Sequence, residues 1–160
     1  MNKSAHAPVS ATAVGSPSGV VKELTQVLAD TYALAVKTHG AHWNIRGAGF
    51  FRLHSAFEEQ YTELFLAADE VAERIRALGV DAPSSIRQLT ELSSIPDTAK
   101  GDDDALVRAL RDDHRRISER ARKAVAAAQE GDDEGTADLL IGRAKAHDKT
   151  AWMLSATLGE

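Results

Sequence analysis

Phe51 to Gly79 reads FRLHSAFEEQYTELFLAADEVAERIRALG, and its periodicity decides the fold. Apolar residues recur at three- and four-residue steps along it, the pattern of an amphipathic helix, and Gly79 is a favoured residue just past a helix end. Turning each residue by about 100° from His54 puts Leu53, Phe57, Tyr61, Leu64, Ala68, Val71, Ala72, Ile75 and Leu78 in one sector, which is the expected core stripe. Arg52, Glu59, Glu63, Glu70 and Arg74 fall opposite, as a solvent face. Glu58, Phe65, Asp69 and Glu73 fall beside the core at roughly 20° to 100° from His54, a sector suited to a partly buried subunit contact that carries polar groups.

That sector holds good metal ligands that cannot meet within one helix. With about 1.5 Å of rise per residue, His54 and Asp69 stand roughly 22 Å apart along the axis, while His42 precedes the helix. If these residues form one site, Asp69 and Glu73 come from a second copy of the chain. Two such helices packed antiparallel place each His54 near the partner's carboxylates, so a two-fold dimer contains two equivalent sites. Taken singly, each residue has a plainer reading: surface carboxylates are usually just solvated, and an isolated histidine is usually a hydrogen-bonded structural residue.

The rest of the chain supplies the other layers of a bundle. Residues 1–19 are rich in Ala, Ser, Gly, Pro and Val without periodicity and read as a flexible N-terminal arm, leaving 20–160 as one domain. Val21 to about Ile45 forms a first helix, and Ser85–Leu92 a short one inside a long crossover that ends near Pro96. Ala105 to Gln129 and Thr136 to Leu158 give two more, separated by the turn-like run Gly131, Asp132, Asp133, Glu134, Gly135. Four long helices with one long crossover predict an all-α, ferritin-like four-helix bundle with a short extra helix between the second and third long ones.

Composition narrows the chemistry. The absence of cysteine excludes disulfides, thiolate metal sites and cysteine nucleophiles, so any metal is held by nitrogen and oxygen. A formal charge of -5 argues against a generally basic nucleic-acid binder. No unbroken apolar run is long enough for a membrane span or a secretory signal, and a cytoplasmic location is the expectation. The chain has no Glu-x-x-His motif for a site inside one bundle, no zinc-protease motif, no P-loop and no nucleophile elbow.

The run His42, Trp43, Asn44, Ile45, Arg46, Gly47, followed by His54 and Glu58, resembles the signature of the Dps family of bacterial mini-ferritins. Asp69, Glu70, Val71, Ala72, Glu73, Arg74 with Leu78, Gly79 and Ala82 match a second block, and Asp148, Lys149 and Trp152 a third. The resemblance covers about residues 20–158. It departs at Ala68, where relatives more often carry a larger aliphatic residue.

The resemblance implies a hollow shell of twelve subunits built from two-fold dimers, with iron-oxidising sites at the two-fold interfaces. By matching position, His42 and His54 come from one subunit, and Asp69 and Glu73 from its mate. Glu58 is a further ligand or a carboxylate that orients one, and Trp43 lies beside the site. The implied reaction is oxidation of Fe(II) by hydrogen peroxide or oxygen, with ferric mineral stored in the cavity and DNA protected from oxidative damage. Imidazole and carboxylate ligands suit zinc as well, so family resemblance decides for iron. His39, one turn before His42, is an accessory ligand or a structural hydrogen-bonding residue. Asp132, Asp133, Glu134 and Asp138 lie where relatives build negative three-fold pores; they read as an iron entry route or as an ordinary acidic, helix-capping turn. His6, His114 and His147 have no partner at metal-binding spacing.

DNA binding is the weaker half of what the family implies. The arm carries Lys3 as its only basic residue apart from the histidine, and the set Arg108, Arg111, Arg115, Arg116, Arg120, Arg122, Lys123 is interleaved with acids. Twelve weak arms would still gain avidity, possible nucleoid association included. The alternative function is a DNA-coating assembly protein whose metal serves only to hold the dimer.

Overall fold

The computed structural model describes residues 19–97 and 101–160, so most of the N-terminal arm lies outside the described residues. Four long helices are present: α1 (Gly19–Asn44), α2 (Phe50–Ala77), α4 (Asp103–Glu130) and α5 (Glu134–Thr157), with the short α3 (Ile86–Leu92) in the crossover. No strand occurs among the described residues. None of these helices is long and apolar enough to cross a membrane.

The core shows how the helices run. Val21 and Leu24 from the start of α1 pack with Val71 and Ile75 from the end of α2, Ala124 and Ala128 from the end of α4, and Leu140 from α5. At the other end Leu34 and Ala41 meet Leu53, Phe57, Leu110, Ile117 and Leu154. Thus α1 and α5 run one way and α2 and α4 the other. Parallel α2 and α4 cannot be joined by a tight turn, and this is why the crossover must travel the length of the bundle.

Buried polar groups hold that crossover in place. Asp30, wholly buried on α1, accepts from Ser93 Oγ at 3.0 Å, from Ser94 N at 2.6 Å and from Ser94 Oγ at 3.1 Å. Satisfying both carboxylate oxygens offsets the cost of burying the charge. Lys37 on α1 pairs with Asp113 on α4 at 2.5 Å, both nearly buried. Burial pushes the Asp113 carboxyl up, against the pull of Lys37.

The expected helices are all present, and the boundaries move for identifiable reasons. Asp102 accepts from Ala105 N and starts α4 at Asp103 rather than Ala105. Asp133 accepts from Thr136 N and starts α5 at Glu134 rather than Thr136. Each cap satisfies an otherwise orphaned backbone donor, and so draws the preceding turn into the helix. Ser85 is the cap rather than the first residue of α3. At the other end of α2, Gly79 takes φ 82°, its N–H donates to Arg76 O at 2.9 Å, and Val80 N donates to Ile75 O. That left-handed stop is open to glycine at little cost.

Candidate metal centre

The end of α1 and the beginning of α2 are stapled together by two histidines. His42 Nδ1 lies 2.8 Å from His54 O, and His54 Nδ1 lies 2.9 Å from His42 O. A carbonyl can only accept, so each Nδ1 carries the proton and donates. In the neutral ring that leaves the lone pair on Nε2, the form in which imidazole binds a metal. The rings stack with centroids 3.7 Å apart, which fixes both orientations together. His42 is buried and His54 half-buried, so the pair is shielded on the bundle side and reaches the surface of the chain.

Aromatic side chains buttress the pair. His39 stacks on Tyr61 and meets Trp43 at a 45° tilt, each at 4.1 Å between centroids. Phe50 stacks on His54 at 4.8 Å, and Tyr61 meets His42 edge-on at 5.3 Å. His39 thus stands 6.0 Å from His42 between centroids, inside an aromatic sandwich. Tyr61, which sequence reasoning placed in the core, is half-buried and supports this cluster instead. Its helical position near the His54 side of α2 was the available signal.

Glu58, Asp69 and Glu73 lie on α2 as exposed side chains, and none of them forms an ion pair or side-chain hydrogen bond among the described residues. Within one chain, no group of three His, Asp or Glu side chains is placed to hold a metal among the described residues. Exposed Phe51 and Leu66 fall at roughly 60° and 120° from His54, in the same sector as the carboxylates. Large apolar side chains flanking unpaired carboxylates on one helix face are what an interface surface requires.

The acidic turn divides into two kinds of residue. Asp133 caps α5, accepts from Thr136, and is paired with Arg74 of α2 at 2.6 Å. Although desolvation opposes it, those hydrogen bonds and the Arg74 charge hold the Asp133 carboxyl below its usual range. Asp132, at φ 54°, and Glu134 and Asp138 are exposed.

Sequence reasoning missed a second histidine pair. His114 on α4 and His147 on α5 are 2% and 1% exposed, and their Nδ1 atoms are 2.9 Å apart. Burial, with Arg143 nearby, drives His114 down to about 3; burial, His114 and Arg143 hold His147 well below its usual value. The signal was periodicity. His114 sits on the stripe Leu110, Ile117, Ala121, and His147 on the stripe Leu140, Ala144, Ala151, Leu154, all buried.

The basic side chains of α4 are largely engaged. Arg108 and Arg111 meet Glu160, Arg115 meets Asp112, Arg122 meets Asp148, and Lys123 meets Glu23 at 3.3 Å. Arg120 faces Glu23 and Asp30, and Arg116 donates to Ser94 O. Little unpaired positive charge is left on this helix to meet phosphate.

Residues 21–160 match the ferritin-like domain family, and the chain belongs to that family. Within it, the chain belongs to the Dps mini-ferritins. It is 39% identical over 142 residues to DNA protection during starvation protein 2 of Bacillus anthracis, covering 88% of this chain and 97% of that protein. The crystal structure of Dps from Staphylococcus aureus superposes with a TM-score of 0.84 at 36% identity, over 87% of this chain and 94% of that one. Dps from Vibrio cholerae, described as a member of a broad superfamily of ferritin-like diiron-carboxylate proteins, gives 0.83 at 34% identity over 87% and 88%.

Proposed function

We propose that this chain is a ferroxidase subunit that captures Fe(II) between the histidines of one copy and the carboxylates of another, oxidises it, and stores the ferric product inside a twelve-subunit shell. The observation that carries this reading is the reciprocal His42–His54 lock, which commits both Nδ1 atoms to backbone carbonyls and leaves both Nε2 atoms for a metal, on a chain whose α2 also carries the exposed, unpaired carboxylates Glu58, Asp69 and Glu73. His42 and His54 supply nitrogen ligands; Asp69 and Glu73 of the mate supply oxygen and compensating negative charge. Glu58, one turn beyond His54, is the further ligand or the carboxylate that orients one.

Iron is the substrate and cargo. Hydrogen peroxide takes two electrons, one from each of two Fe(II) ions, and with two protons leaves as two waters; oxygen is the alternative oxidant. Carboxylates stabilise Fe(III) more than Fe(II), which favours the forward step electrostatically. Removing Fe(II) and peroxide together removes the reactants that generate hydroxyl radicals, and this would protect DNA without coating it. Zinc suits the same ligand set and is expected to compete. Exposed Asp132, Glu134 and Asp138 form the acidic route for incoming iron, with Asp133 holding the turn's shape through Arg74. His39 and Trp43 buttress the ligands in the aromatic cluster. The shell is expected to reside in the cytoplasm.

The test is anaerobic loading of the purified assembly with Fe(II), then addition of hydrogen peroxide, following ferric absorbance and particle size for the natural chain and His54→Ala. Rapid oxidation with soluble iron retained in a large shell, lost in His54→Ala while the shell persists, is the expected result. Equal oxidation by both proteins with no retained iron would sink the reading.

A further inference from the structure

A cleft of about 320 Å³ opens between α2, α4 and α5, away from the candidate metal centre, lined among others by Glu59, Gln60, Glu63, His114, Lys149 and Thr150. Two polar atoms buried in its wall, His114 Nε2 and Gln60 Oε1, have no hydrogen-bond partner among the described residues. His114 is 2% exposed, so the unpaired nitrogen belongs to a side chain almost wholly inside the bundle. An unpaired buried polar group is costly, and two of them on residues that line one cavity can be satisfied by a common partner.

The direction of the hydrogen bonds around His114 is fixed from outside. Glu63 binds the Arg143 guanidinium through both carboxylate oxygens, and Arg143 Nη2 faces His147 Nε2 at 3.5 Å. A guanidinium only donates, so it favours the lone pair on His147 Nε2 and places that ring's proton on Nδ1. His147 Nδ1–H therefore donates to His114 Nδ1, 2.9 Å away, and the proton of His114 sits on Nε2. The relay Arg143, His147, His114 thus ends as a donor on one residue of the cleft wall, and Gln60, with the unpartnered acceptor Oε1, is another residue of that wall. A cation is the wrong occupant, because binding it would require a lone pair on His114 Nε2 and would turn an N–H of His147 toward Arg143.

We propose that this cleft is a binding site for a small neutral hydroxyl compound, which accepts from His114 Nε2–H and donates to Gln60 Oε1. Water, hydrogen peroxide and a short alcohol share that chemistry. A molecule with only lone pairs leaves Gln60 unsatisfied, and one with only donors leaves His114 unsatisfied. The site is independent of the ferroxidase reading, since none of its residues belongs to the proposed iron ligands.

The test is diffraction from crystals of the full, metal-free assembly, with neutron data to place the imidazole protons, followed by separate soaks in ethanol and in hydrogen peroxide. The expected result is a proton on His114 Nε2 and an oxygen within about 2.7–3.2 Å of both His114 Nε2 and Gln60 Oε1. Added carbon density after the ethanol soak assigns the site to hydroxyl compounds at large; the paired oxygens of peroxide assign it to that oxidant; an unchanged single oxygen assigns it to water. A proton on His114 Nδ1 or no shared oxygen overturns the proposal. Gln60→Met supplies a check in solution: if the oxygen is a bridging partner, the melting temperature falls by roughly 2–4 °C, whereas it rises if Gln60 Oε1 is simply an idle buried acceptor.

Discussion

His42 and His54 stack at 3.7 Å and donate to each other's backbone carbonyls, whereas His114 and His147 bond ring to ring at 2.9 Å inside the bundle. Both pairs join neighbouring helices, and both are built from the same side chain. They differ in what each Nδ1 meets. A carbonyl takes one proton and spares the second nitrogen, and at the edge of the bundle that nitrogen is available to a metal. Two rings meeting nitrogen to nitrogen must share one proton between them, and under Arg143 the order of the shared protons is set. On the proposed function, the acceptor that each Nδ1 meets separates the ligand pair from the structural one.

Five measurements sharpen or break that contrast. His42→Ala or His54→Ala is expected to slow peroxide-dependent Fe(II) oxidation on the order of 100-fold in stopped-flow absorbance, with the shell intact by light scattering. His114→Ala is expected to leave oxidation by the assembled protein near its original rate. Comparable losses from both substitutions would erase the distinction between the pairs.

Mixing chains tests the same division across the dimer. Subunits carrying His42→Ala with His54→Ala, dissociated and reassembled in equal amount with subunits carrying Asp69→Ala and Glu73→Ala, regain about one quarter of the intact sites under random pairing. Either parent alone stays inactive. No recovery in a shell proven to be mixed places the whole site within one chain.

For the buried pair the expected loss is stability. His114→Ala removes a fully enclosed ring and leaves a cavity, costing about 3 kcal/mol, or roughly 6–12 °C in calorimetry. Acid acts on the same pair. Both histidines are held neutral in the folded chain, His114 down to about 3, while an unfolded histidine titrates near 6.5. The unfolded state thus takes up protons first, so this contribution is complete above about pH 6.5 and is lost as pH falls toward 3, by up to about 1.4 kcal/mol per pH unit for each histidine. Urea midpoints at pH 7, 5.5 and 4.5 measure it, and His147→Gln should flatten the slope. The smallest effect belongs to the acidic turn: Asp138→Asn is expected to slow iron entry only severalfold, and chiefly at low salt, because exposed charge steers ions through screened fields.

The fold was legible in the sequence because its signals are local. Periodic apolar residues marked each long helix, Gly79 the stop of the second, and the distance from Gly79 to Ala105 the crossover. The candidate ligands stood out in the sequence because helical rise separates His54 from Asp69 too far for one chain, and the family signature marked which side chains to compare. The reciprocal bonds of His42 and His54 were not legible, since they depend on where two backbone carbonyls lie after α1 turns into α2. Nor was the Asp133–Arg74 pair, which joins residues 59 positions apart. His114 and His147 were overlooked because a search for ligand spacing along the chain cannot see two helices that meet only after folding.

The lock between His42 and His54 spans only 12 residues of chain, so this half of the proposed site forms as soon as one hairpin folds. On the proposed function, the carboxylate half waits for a second molecule. A newly made polypeptide would then be chemically silent, with redox activity switched on through assembly itself. Oxidation would begin only where a container for the product is already being built, sparing the cell loose ferric precipitate during synthesis.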